Sequence, residues 1–280
     1  MSETLTQTSV GIIAGSGTFP FLVADGARSA GRRVNIIGLR GFADPRLADH
    51  ADVFHWAGLA KPGRWKRLLK RYGTREVILA GAVRKTDMYG RFRMLKFLPD
   101  LTALKIWFVR LKDKRNDAVL AAVADELGRH GITMQDCTKY TQEHLAPVGV
   151  LTRTQPTQSQ QRDADFGWHI AKEMGRLDIG QSVAVKETEV IAVEAIEGTD
   201  RMIERAGQLC PRGGWTLIKV AKPSQDMRFD VPTVGPATIA NLVRHGARMM
   251  VIEAGKTVLL DRELTIAAAD KAGIAIDSRT

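Results

Sequence analysis

VGIIAGSGTFP, residues 10–20, decides the fold. A short apolar run ends in a glycine, a glycine–serine–glycine turn follows, and Pro20 stands where a helix begins. An apolar run of this length bounded by turn residues reads as a strand buried on both faces. Residues 18–30 then carry helical spacing, with Phe21, Leu22, Ala24, Asp25 and Arg28 dividing into two faces. VNIIGL at 34–39 and EVILAGAV at 76–83 repeat the buried-strand signature, and PGRWKRLLKRYG at 62–73 supplies a helix closed by Gly73. Strands separated by helical segments predict βαβ units and a parallel sheet.

Further along, DLTALKIWFVRL at 100–111 follows Pro99 and reads as a helix. NDAVLAAVADELG at 116–128 is a clearer one, with Val119, Leu120, Val123 and Leu127 on one face and Gly128 at the C-cap position. TRTQPTQSQQRDAD, residues 152–165, contains no large apolar side chain. Beyond it the pattern restarts, with helices near 163–177, 199–210, 236–245 and 261–272. Strands are expected at 182–186, 189–195, 215–220, 248–253 and 257–260. The expected fold class is α/β, in two α/β domains: a Rossmann-like N-terminal domain over 1–152, a polar linker over 153–165 and a C-terminal domain over 166–280.

Composition narrows the function. Of 280 residues, 44% are hydrophobic and 26% charged, enough to build buried cores without staples. The net charge of +10, concentrated over residues 61–115, selects an anionic partner: nucleic acid, an acidic membrane surface or a phosphorylated substrate. No aromatic nucleic-acid motif accompanies the charge, so no nucleic-acid partner is expected. MSETLTQTSV lacks the basic and apolar regions of a signal peptide, and no apolar run approaches the roughly 18 residues of a membrane span. A cytoplasmic location is expected. Cys137 and Cys210 are far apart with no CxxC, which supports neither a disulfide framework nor a zinc site. The six histidines show no ligand spacing, and no G-x-S-x-G elbow is present.

The glycine turn can hold phosphate, because Gly15 and Gly17 let a ligand approach and the following helix presents N–H groups. It departs from the dinucleotide fingerprint: Pro20 occupies the third glycine position, and the second strand ends in Gly38-Leu39-Arg40 with no acid. Arg40 keeps an NADP-linked oxidoreductase as the alternative. The densest polar cluster is KVAKPSQDMRFDVPTVGPATI, residues 219–239, with Lys219, Lys222, Asp226, Arg228 and Asp230 inside twelve positions. The bases suit phosphate oxygens, and the carboxylates suit Mg²⁺ or a water to be oriented. VEAIEGTDRMIERAG at 193–207 places Gly198, Thr199 and Asp200 at a helix start, and GAVRK at 81–85 ends a strand in Arg84 and Lys85.

Together these segments resemble one family, the UDP-2,3-diacylglucosamine pyrophosphatases of bacteria that lack the metallophosphoesterase version of the enzyme. GIIAGSGTFP, GAVRK, EGTDRMIERAG, KPSQDMRFDVPTVGPATI and VIEAGKTVLLDRE are similar to its motifs, from about residue 9 to 276. The resemblance implies two α/β domains with the ligand between them, and cleavage of UDP-2,3-diacylglucosamine to UMP and 2,3-diacylglucosamine 1-phosphate (lipid X). It implies a divalent cation, Mg²⁺, with Asp226 as the essential acid; Asp226 and Asp230 are the candidate metal ligands, and Asp226 could instead orient water. Substrate would be bound by Gly15, Ser16, Gly17, Arg84, Lys85, Gly198, Thr199, Asp200, Lys219, Lys222, Gln225, Arg228 and Thr233. Where the family often has two adjacent acids, this chain has Asn116 then Asp117, which favours helix capping there. FRMLKFLPDLTALKIWFV, residues 92–109, mixes apolar and basic residues. It fits an acyl cavity or the anionic inner-membrane surface, the expected partner besides the lipid–nucleotide substrate; a homodimer is also admitted.

Overall fold

The computed structural model describes residues 8–83, 98–111, 116–223 and 225–280. Arg84, Lys85 and residues 92–97 of the basic apolar stretch lie outside them. The chain forms two compact units, Met1–Gln142 with Asp226–Asp230, and Glu143–Gln225 with Val231–Thr280. Both are α/β, as the sequence predicts.

Unit 1 carries β1 (Ser9–Ala14), β2 (Arg33–Leu39), β3 (Val53–Ala57), β4 (Glu76–Ala80) and β5 (Thr133–Met134). They form one parallel sheet in the order β3-β2-β1-β4-β5, the order of the Rossmann type. The order reverses between β1 and β4, so the crevice beyond their carboxyl ends is the usual ligand position in an open sheet. The helices are α1 (Phe19–Ser29), α2 (Pro62–Arg71), the short α3 (Leu101–Lys105) and α4 (Asn116–Gly128). A π-helical turn, Ile106–Arg110, extends α3. Ile13, Ile37, Trp65, Leu69, Val77 and Leu127 pack into one core. Burying each such side chain contributes about 1.5–3 kcal/mol. The sequence reading missed β3 because VFHWA, on the sheet edge and only partly buried, makes no continuous apolar run. It missed β5 because two residues carry no periodicity.

Unit 2 carries β6 (Gly149–Val150), β7 (Ser182–Lys186), β8 (Glu189–Val193), β9 (Trp215–Lys219), β10 (Thr233–Val234), β11 (Ala247–Glu253), β12 (Val258–Leu259) and β13 (Ala275–Arg279). The main sheet runs β6-β13-β11-β9-β7-β8, with β9, β11 and β13 parallel and antiparallel strands at both edges. The helix α5 (Gln158–Arg176) contributes Ala164, Ala171 and Met174 to a core with Val183, Ile218 and Met249. The other core gathers Met202 and Ile203 of α6 (Thr199–Leu209), Ile239 and Leu242 of α7 (Pro236–Arg244), and Ala269 of α8 (Arg262–Ala272).

The units divide between Gln142 and Glu143, ahead of the expected domain end at 152. Residues 153–165 are integral to unit 2. β6 pairs with β13, and the amides of Arg153 and Thr154 donate to the Asp270 carboxylate at 2.8 and 3.2 Å. The helix α5 begins at Gln158 through a capping box: Thr157 Oγ1 accepts from Gln160 N at 3.3 Å, and Gln160 Oε1 accepts from Thr157 N at 2.8 Å. Polar composition suggested a linker, but those polar groups satisfy the backbone of a packed segment.

Candidate active site

At the carboxyl end of β1 the glycine turn meets the carboxyl end of β4. Gly15 N donates to Ala80 O at 2.7 Å, and Ser16 N and Ala82 N each donate to the other's carbonyl at 2.9 Å. The Ser16 hydroxyl also donates to Ala82 O at 2.8 Å. Two segments 65 residues apart in the chain, the glycine turn and the GAV of GAVRK, are thus laced together at the switch point. Gly15 serves this close approach: a Cβ there would lie 2.7 Å from Ala82 O. Gly17, exposed and with φ of 94°, has open space instead and leads into α1, whose head no side chain caps.

Asp226–Asp230 joins unit 1 although it comes late in the chain. Cys137 holds it. Cys137 N donates to Met227 O at 2.8 Å, and the thiol lies 2.8 Å from Leu79 O of β4 and 3.3 Å from Arg228 O. Phe229 packs on the unit-1 core, with the Arg228 guanidinium 4.9 Å above its ring. The segment is therefore docked beside the carboxyl ends of β4 and β5, the same sheet edge as the glycine turn.

Within the segment, Asp226 and Arg228 form a fork. Arg228 Nε lies 2.9 and 3.2 Å from the two carboxylate oxygens, Nη2 reaches Oδ2 at 2.7 Å, and Arg228 N reaches Oδ1 at 3.0 Å. The guanidinium hydrogen bonds, with the backbone N–H and the cation's charge, outweigh desolvation and hold the Asp226 carboxyl below its ordinary value. The same bonds raise Arg228. Asp226 is ionised at neutral pH, and its side chain is 34% exposed. Burial, then the charges of Asp230, Asp136 and Asp226, push the Cys137 thiol far above its usual range. The side chain of Asp230 is exposed.

Other residues singled out from the sequence lie in unit 2. Lys219 is buried at the end of β9 and donates to Thr233 O at 3.0 Å. Lys222 pairs with Asp178, and its N–H donates to Gln225 Oε1 at 3.1 Å while Gln225 N donates back to Lys222 O at 2.9 Å. Gly198, with φ of 84°, starts α6. Thr199 Oγ1 donates to the buried Glu194 carboxylate at 3.1 Å and lies 3.3 Å from Ser182 Oγ. Asp200 is exposed, its carbonyl accepting from Asn241 Nδ2 at 3.1 Å. The sequence reading missed Cys137, Asp178, Glu194 and Glu253. Cys137, Asp178 and Glu253 act through partners remote in the chain, which no local motif reveals, whereas Glu194 meets Thr199 only a turn away. Arg40 is exposed at the end of β2.

Among the described residues no group of three or more His, Cys, Asp or Glu converges as a metal cage. One or two carboxylates on an exposed edge instead suit Mg²⁺, which keeps waters and takes substrate phosphate oxygens as ligands. The carboxylates of Asp226 and Asp230 are of that kind, and both oxygens of Asp226 accept from Arg228.

Residues 9–144 match the model of the LpxI N-terminal domain, and residues 147–277 that of the LpxI C-terminal domain. The chain belongs to the LpxI family. A relative within it, the UDP-2,3-diacylglucosamine pyrophosphatase LpxI of Caulobacter vibrioides, is 36% identical over 276 residues and is covered to 95%, as is this chain. The junction between the two LpxI domains falls within a few residues of the division into compact units. Neither the LpxI models nor this relative supports the NADP-linked alternative. Likeness to solved structures is low. A nucleoside-diphosphate-sugar epimerase from Pseudomonas aeruginosa has a TM-score of 0.29 at 13% identity, over 98% of this chain and 81% of that one. A biotin carboxylase domain of the Hydrogenobacter thermophilus 2-oxoglutarate carboxylase has a TM-score of 0.25 at 12% identity, over 74% and 42%.

Proposed function

We propose that the protein hydrolyses the pyrophosphate bond of UDP-2,3-diacylglucosamine, giving UMP and 2,3-diacylglucosamine 1-phosphate, a step of lipid A biosynthesis. Membership of the LpxI family supports the reaction, and one structural observation supports the proposed position of the site. The segment carrying the Asp226–Arg228 fork docks through Cys137 at the carboxyl end of β4 in a Rossmann-ordered sheet, the strand end that also holds the glycine turn.

Breaking an anhydride needs its oxygens neutralised and a water aligned with the scissile bond. Arg228, with Nε and Nη2 facing Asp226, offers its remaining N–H groups and its charge to phosphate oxygens, and the head of α1 offers N–H groups. Asp226, ionised with a lowered pKa, acts as an anionic acceptor that orients the attacking water. Mg²⁺, held by Asp226 and Asp230, would supply charge neutralisation at the anhydride. Lys222, Gln225, Lys219, Thr233, Gly198, Thr199 and Asp200 remain proposed substrate residues in unit 2, with Ser16, Arg84 and Lys85 in unit 1. A cytoplasmic location, contact with the anionic inner-membrane surface and a homodimer belong to the same proposal. Among the described residues no helix is long and apolar enough to cross a membrane.

The test is incubation of purified protein with UDP-2,3-diacylglucosamine and Mg²⁺, with products weighed by mass spectrometry. UMP and lipid X should form and should stop with chelator, and ¹⁸O-labelled water should mark the phosphorus attacked. A folded protein that releases no UMP with any divalent cation would overturn the reading.

A further inference from the structure

The described end of the basic apolar stretch presents apolar side chains along α3 and its π-helical turn. Leu101 is 85% exposed, Phe108 78% and Val109 74%, and Leu98, Leu104 and Trp107 are also exposed. Ile106 turns inward, into the unit-1 core. Four large apolar side chains mostly in water over residues 98–109, with Leu104 and Trp107 partly so, are far from ordinary for so short a surface segment.

The ridge is fastened to a basic helix. Asp100 caps α3 by accepting from Ala103 N at 2.9 Å, and its other oxygen accepts from Arg64 N of α2 at 3.2 Å. Asp100 N donates to Ala60 O at 3.0 Å. Gly63 of α2 is so close that a Cβ would lie 2.5 Å from Thr102 Oγ1. The helix α2 buries Trp65 and Leu69, and exposes Arg64, Arg67, Lys70 and Arg71. Among the described residues none of these four cations pairs with a carboxylate. Exposed apolar side chains beside unneutralised cations are complementary to one kind of partner, a bilayer with anionic headgroups. A protein partner would need acids over the basic helix and an apolar groove over the ridge. The bilayer offers both at once, and the charge of the chain as a whole favours it.

We propose that α3, its π-helical turn and the basic face of α2 dock the protein on an anionic lipid bilayer. Leu101, Phe108 and Val109 enter the headgroup–acyl boundary, and Arg64 and Arg67 rest on lipid phosphates. The proposal goes beyond a general attraction to the membrane by naming the contact. It rests on the proposed function only in that a diacylated substrate is drawn from a bilayer.

The experiment pairs vesicle flotation with turnover of UDP-2,3-diacylglucosamine presented in two ways, in detergent micelles and embedded in vesicles. Wild-type protein should float with phosphatidylglycerol-containing vesicles at low salt, and should stay unbound with pure phosphatidylcholine. Leu101→Ser with Phe108→Ser, and separately Arg64→Glu with Arg67→Glu, should each weaken flotation by about tenfold or more. Both should slow vesicle turnover and leave micellar turnover and melting temperature near wild type. Wild-type protein that ignores anionic vesicles, or variants that float normally, would overturn the proposal. Equal loss on micelles and vesicles would assign the ridge to acyl-chain binding and overturn docking. So would variants that change only from dimer to monomer in light scattering. Flotation without turnover of either substrate form would sink the proposed reaction and leave the docking surface standing.

Discussion

The amide of Cys137 donates to the carbonyl of Met227 over 2.8 Å, across 90 residues of chain. With the thiol near Leu79 O and Arg228 O, this one residue ties the Asp226–Asp230 segment to strand β4. Burial and three neighbouring aspartates raise its thiol pKa far above the usual range, so the nucleophilic thiolate is scarce. Cys137 should therefore resist iodoacetamide at mildly alkaline pH in the folded protein and react once urea unfolds it, read by peptide mass spectrometry. Cys137→Ala keeps the backbone bond and removes the thiol contacts. It should lower kcat more than it changes KM, with partial rescue by Cys137→Ser. Unchanged kcat would mean the thiol only fills space.

Asp226→Ala should lower kcat by at least about 100-fold, the scale of losing one well-placed electrostatic group. The protein should stay folded. A partly exposed ion pair is screened by solvent, so its loss should cost under about 1 kcal/mol. Substrate should remain bound, since the bases remain and an anion beside a polyanion is gone. Arg228→Lys should also slow turnover, because an ammonium cannot make the planar fork. The depressed Asp226 pKa sets a pH expectation too. Its folded value lies below 3.8, so its ionised form persists as pH falls toward that value, and the acid limb due to this group lies lower still.

The two glycines of the turn should fail differently. In Gly15→Ala the methyl would lie 2.7 Å from Ala82 O, so the β1–β4 lacing must open. A loss of about 1–3 kcal/mol in urea unfolding is expected. Gly17→Ala meets no neighbour and suffers only its positive φ, a cost of about 1 kcal/mol. Its larger effect should be on KM, because it stands exposed before the head of α1. Equal stability loss in the two variants would contradict this assignment.

Glu253 should set the acid stability of unit 2. Its side chain is 7% exposed, and desolvation alone would raise its pKa. Lys172 at 2.5 Å, Lys256 at 3.0 Å and the amide of Ala221 at 2.8 Å overturn that and lower it. A lowered folded pKa stabilises above the unfolded value of 4.5, and that stabilisation fades as pH falls through the folded value. Glu253→Gln should therefore cost about 2–4 kcal/mol at neutral pH, as for one broken side of a buried pair, and less in acid. Chemical denaturation at several pH values checks it: a penalty that grows as pH falls would refute the sign.

How much was legible in the residues follows from how local each signal is. VGIIAG, VNIIGL and EVILAGAV announce buried parallel strands because burial on both faces leaves a continuous apolar run. Pro62 and Gly73 bracket α2 because one cannot continue a helix inward from its start and the other ends it without strain. The cluster around Asp226 was visible as a density of charge and proline. By contrast β6, β10 and β13 escaped notice. The first two are two residues long, and in AIDSR the buried Asp277 and Ser278 interrupt the apolar run that would announce a buried strand.

By itself, then, the chain's sequence determined two α/β units, the glycine turn and the identity of the polar motifs, since each depends on neighbours a few residues apart. Only the tertiary structure decided that the boundary precedes residue 143 and that Asp226–Asp230 belongs to the first unit. Only it decided that Asp226 is held by Arg228 while Lys219 is spent on Thr233. The placement of Asp226–Asp230 rests on hydrogen bonds and burial against segments remote in the chain, Cys137 and the unit-1 core. Such partners are selected by the packing of the sheet, and no periodicity or spacing in the sequence records them.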